Sequence, residues 1–67
     1  MGSLDDLAEE LDRLAERLAD AAMEALRSGL DDGSDEAAAL ATKREKLLNR
    51  ARSSVEKARM LVRQADD

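Results

Sequence analysis

Leu4, Leu7, Leu11, Leu14 and Leu18 follow one another at alternating spacings of three and four, the apolar seam of a coiled-coil helix. Ala8, Ala15 and Ala22 stand in a seven-residue column beside it. Beyond Leu18 the apolar positions pass to Ala22, Leu26 and Leu30, the drift expected of a straight helix that leaves a strict seven-residue repeat. Ser3 with Asp6 three positions later is a conservative capping box, and Gly29 suits the left-handed residue that closes a helix, with Leu30 placed for its hydrophobic contact. Together these signals predict a first helix over about residues 4–28.

The run Asp31-Asp32-Gly33-Ser34-Asp35-Glu36 is the turn-like stretch of the chain, and Ser34 followed by two acids is a good N-cap. The loop is predicted at about 29–34 and a second helix at about 35–65. Its apolar positions, Ala37, Leu40, Ala41, Leu47, Leu48, Ala51, Val55, Ala58, Leu61, Val62 and Ala65, make a face wider than a two-stranded seam needs. Ala51, Ala58 and Ala65 repeat every seven residues, and Leu40, Leu47 and Leu61 form a second column with Ser54 in its gap.

Two helices joined by so short a connection must lie antiparallel. The expected fold is all-α: one domain over residues 1–67, an antiparallel two-helix hairpin of coiled-coil character that dimerises into a four-helix bundle. If the two alanine columns meet, Ala8 faces Ala58 and Ala15 faces Ala51. The leucines then project to one side, where a lone hairpin leaves them wet. The interface residues expected on this basis are Leu4, Leu7, Leu11, Leu14, Leu18, Leu40, Leu47, Leu48, Val55, Leu61 and Val62.

Composition strengthens the case for assembly. In 67 residues there is no Cys, His, Phe, Trp, Tyr or Pro, so neither a disulfide nor an aromatic core can support a chain this short, and association is the remaining route to stability. No apolar run is long enough to span a membrane and no signal peptide is evident, which points to a cytoplasmic protein without a membrane partner. The chemistry of catalysis is also missing. Ser53 and Ser54 have no base to activate them, no paired carboxylates converge in a pocket, and the loop acids do not follow a calcium-loop pattern, because Ser28 and Leu30 occupy ligand positions. The expectation is a non-enzyme that uses no cofactor and no metal.

Charge is divided between the helices although the chain as a whole carries −5. The first helix is acidic, with Asp5, Asp6, Glu9, Glu10, Asp12, Glu16, Asp20 and Glu24 against Arg13, Arg17 and Arg27. The second is basic, with Lys43, Arg44, Lys46, Arg50, Arg52, Lys57, Arg59 and Arg63 against Glu45 and Glu56. Flanking pairs such as Glu10 with Arg59 would select the antiparallel pairing. Arg44 falls within the apolar face by heptad counting and is expected to snorkel or to pair with a carboxylate near the helix end.

The functional expectation is a protein-interaction module that self-associates as a homodimer, or that covers a heterologous protein with the same face. The alternative is a nucleic-acid-binding accessory protein using Lys43, Lys46, Arg50 and Lys57. Against it stand the acidic net charge and the lack of aromatic residues for stacking on bases.

Overall fold

The computed structural model describes residues 2–66, so both ends of the expected 1–67 domain lie outside the described residues. Two helices account for nearly all of it: α1, Ser3–Asp32, and α2, Asp35–Asp66, packed on each other as a hairpin. The Cα envelope measures 50 × 13 × 9 Å. Subtracting the ~4.6 Å Cα diameter of a helix from the middle dimension leaves ~8 Å between the axes, the close end of helix packing.

Only small residues could permit that approach. Among the described residues, Ala8, Ala15, Ala22 and Gly29 of α1 and Ala41 of α2 are the buried ones. The column they form in α1 keeps a strict seven-residue spacing to its end, so the expected drift towards Leu26 and Leu30 does not occur, and both leucines are exposed.

Gly29 differs from its expected role. It lies inside α1, and a Cβ there would overlap the Cβ of Ala41 and come within 2.9 Å of the Ala37 carbonyl oxygen. Glycine fits here because the first two turns of α2, through Ala37 and Ala41, press against it. The helix instead ends at Gly33, whose φ of 77° is the left-handed closing conformation. The loop is therefore two residues, Gly33 and Ser34, rather than the predicted six.

Ser34 caps α2 as expected. Its Oγ accepts the N–H of Ala37 at 3.0 Å and donates to Asp32 Oδ2 at 2.9 Å. The other predicted cap is absent: Ser3 already belongs to α1, Gly2 occupies the N-cap position, and no side chain caps that end.

Register departs from the expected pairing of alanine columns. Gly29 meets Ala41, and Arg59 Nε lies 3.0 Å from Asp12 Oδ1. Carried along both helices, this register sets Ala22 opposite Leu48, Ala15 opposite Val55 and Ala8 opposite Val62, while Leu18 and Leu11 come level with Ala51 and Ala58. Ala8 and Ala58 are thus about one helical turn out of step. Small residues of one helix receive larger ones of the other, which fills the seam where alanine on alanine would leave a gap.

Candidate assembly face

The seven-residue columns sort the rest of the surface. Next to the seam, on one side, lie Leu4, Leu11 and Leu18 of α1 with Ala51 and Ala58 of α2, all half-buried. Farther out on the same side run Leu7, Leu14, Ala21 and Ser28 of α1 and Leu40, Leu47, Ser54 and Leu61 of α2, all exposed. A groove near the loop confirms that these columns share a side, since it is lined by Ala21, Ala25 and Ser28 from α1 and Ala37, Leu40 and Arg44 from α2. The large apolar residues here remain 41% exposed at Leu7 and Leu14 and 48–55% exposed at Leu40, Leu47 and Leu61.

Of the residues expected at the interface, five therefore project onto this side and three, Leu4, Leu11 and Leu18, border the seam beneath them. Leu48, Val55 and Val62 are half-buried in the seam itself, where they face the alanine column of α1. Sequence spacing placed them on the apolar face of α2 correctly but could not divide that face between the intrachain seam and the surface, because the division depends on register.

The opposite side is polar. A shallow depression there is lined by Asp12, Ala15, Glu16 and Ala19 together with Arg52 and Glu56. Arg59 pairs with Asp12, not with the expected Glu10, because the seam register brings Asp12 to the flank and leaves Glu10 on the outer surface. The Arg59 N–H does not point along this contact, so it is an ion pair without a hydrogen bond. With side chains 34% and 47% exposed, such a pair contributes about 0–1 kcal/mol. Arg52 Nε is likewise buried without a hydrogen-bond partner, at the depression it lines with Ala15 and Ala19.

Lys43, Arg50 and Lys57 form a line on the outer surface of α2 beside the leucine column, and Lys46 lies off that line. All four are exposed. On α1 the corresponding outer line carries Glu10, Arg17 and Glu24, also exposed. The leucine-rich side is thus bordered mainly by acids along one edge and by bases along the other. Arg44 is exposed at the groove, which Glu24 and Asp32 also line, and it forms no ion pair among the described residues, so of the two expected arrangements it shows the exposed head and not the pairing.

Two residues have a significance that spacing alone did not reveal. Ser54 interrupts the leucine column, but its hydroxyl donates to the Arg50 carbonyl at 3.2 Å, so it presents a small side chain already satisfied by its own helix. Gly29 was legible as a conformational signal, and the close approach it permits depends on which residue of α2 lies across from it.

Among the described residues no helix is long and apolar enough to cross a membrane, and no group of three or more His, Cys, Asp or Glu could hold a metal ion. No family model, curated protein or solved structure matches the chain.

Proposed function

We propose that this chain is a non-catalytic assembly module that joins a second copy of itself through its leucine-rich side, completing a four-helix bundle. The observation that carries the reading is the five leucines left 41–55% exposed on one side of a hairpin whose seam is already filled by the Ala8–Gly29 column of α1 against Ala41, Leu48, Val55 and Val62 of α2. Surface area supports it. A compact monomer of 7.3 kDa exposes about 4,200 Å², whereas this chain exposes 5178 Å². The side in question, roughly 45 Å long and ~18 Å wide from helix dimensions, offers about 800 Å², the share each partner contributes to a standard dimer.

Sedimentation equilibrium tests the proposal. The expected result is a species of twice the monomer mass at micromolar concentration. A well-folded helical monomer that persists at hundreds of micromolar would overturn it and turn attention to a heterologous partner. Salt-sensitive binding of DNA or RNA that is lost on charge reversal of Arg50 and Lys57 would instead favour the basic line of α2 as the working surface.

A further inference from the structure

Resting on that self-association, we infer that the second copy is related by a two-fold axis running along the hairpin, so that α1 packs on α2 of the partner and both loops lie at the same end. Two arrangements bring the leucine-rich sides face to face. In one the axis is parallel to the helices and each α1 contacts the partner's α2. In the other the axis is perpendicular, α1 contacts α1, α2 contacts α2, and the loops lie at opposite ends.

Rotation about the long axis preserves height, so the intrachain register carries over to the contact between chains. At that register the outer columns interlock by size: Ser28 meets Leu40, Ala21 meets Leu47 and Leu14 meets Ser54, with Leu7 and Leu61 closing the far end. The small partners are available for this, since the Ser54 hydroxyl is held by its own helix. The perpendicular arrangement can match the same sizes, with Leu7 on Ser28 and Leu14 on Ala21, so packing by itself does not choose.

Charge does. With the axis along the hairpin, Glu10 comes beside Lys57 and Glu24 beside Lys43, and Arg17 with Arg50 is the one like pair among these. With the axis perpendicular, Glu10 meets Glu24, Lys43 meets Lys57, and Arg17 and Arg50 each meet their own copies. Every flanking pair is then repulsive, and like charges set opposite each other across an interface select against it.

Dipolar electron paramagnetic resonance between nitroxides on Asp31→Cys, one per chain, distinguishes the arrangements. Loops at the same end place the labels about 25 Å apart or closer, from the spacing of packed helices. Loops at opposite ends place them about 40 Å apart, from the rise per residue. The shorter distance is the expected result. The longer one overturns the inferred axis while leaving the dimer intact, and an absence of coupling together with a monomeric mass overturns both. Arg17→Glu gives a second reading. It should tighten the dimer about three- to tenfold by converting the one like pair into an opposite pair, whereas an unchanged or weakened dimer is the outcome for a perpendicular axis, where position 17 still meets its own copy.

Discussion

At Gly29 two helix preferences oppose each other. Alanine in a helix interior is favoured over glycine by about 1 kcal/mol, yet the space a Cβ needs is already taken by Ala41 and the Ala37 carbonyl. Overpacking a close contact costs about 1–3 kcal/mol, so Gly29→Ala should lower stability in urea unfolding despite its better propensity, and Gly29→Val should do so more severely. Ser34→Ala removes the acceptor for the Ala37 N–H and should cost about 1 kcal/mol in the same measurement. Both residues stand out in the sequence, Ser34 within the turn-like run and Gly29 just before it. Ser34 kept its expected role because a cap is set by local geometry, and Gly29 changed its role because the clash is with a residue twelve positions away.

For the helices, periodicity located both and missed the end of the first by one turn. Gly29 and Gly33, four residues apart, both permit the left-handed conformation that closes a helix, and it is Gly33 that adopts it while Gly29 packs against Ala41. The register between α1 and α2 was the larger miss. Alanine columns at equal spacing invite pairing with each other, but the seam fills better when Ala15 receives Val55 and Leu18 lies level with Ala51. Oxidative cross-linking should separate the two registers. Ala15→Cys with Val55→Cys is expected to close a disulfide within the chain readily, and Ala15→Cys with Ala51→Cys to do so poorly, as judged by thiol titration and mobility under denaturing conditions.

For the whole molecule, the leucine-rich side, to which both helices contribute, is the surface the proposed dimer would bury. A charge at its centre should be excluded from a dry interface, so Leu47→Glu is expected to raise the dimer dissociation constant at least about a hundredfold by sedimentation. Met23→Glu, also at an exposed apolar residue but outside the leucine-rich columns, should leave association nearly unchanged. Helix content followed by circular dichroism should depend on concentration in the wild-type chain, because folding and association are coupled when the core lies between copies.

Helix, turn and the surplus of apolar positions follow from the chain alone, because each depends on spacings of three, four and seven and on caps formed within a few residues. The assignment of that surplus does not. Whether Leu48 and Val55 line the seam while Leu47 and Leu61 face outward depends on a shift of one turn between two helices, and that shift is decided by how closely Gly29 lets α2 approach and by which side chains fill the space between.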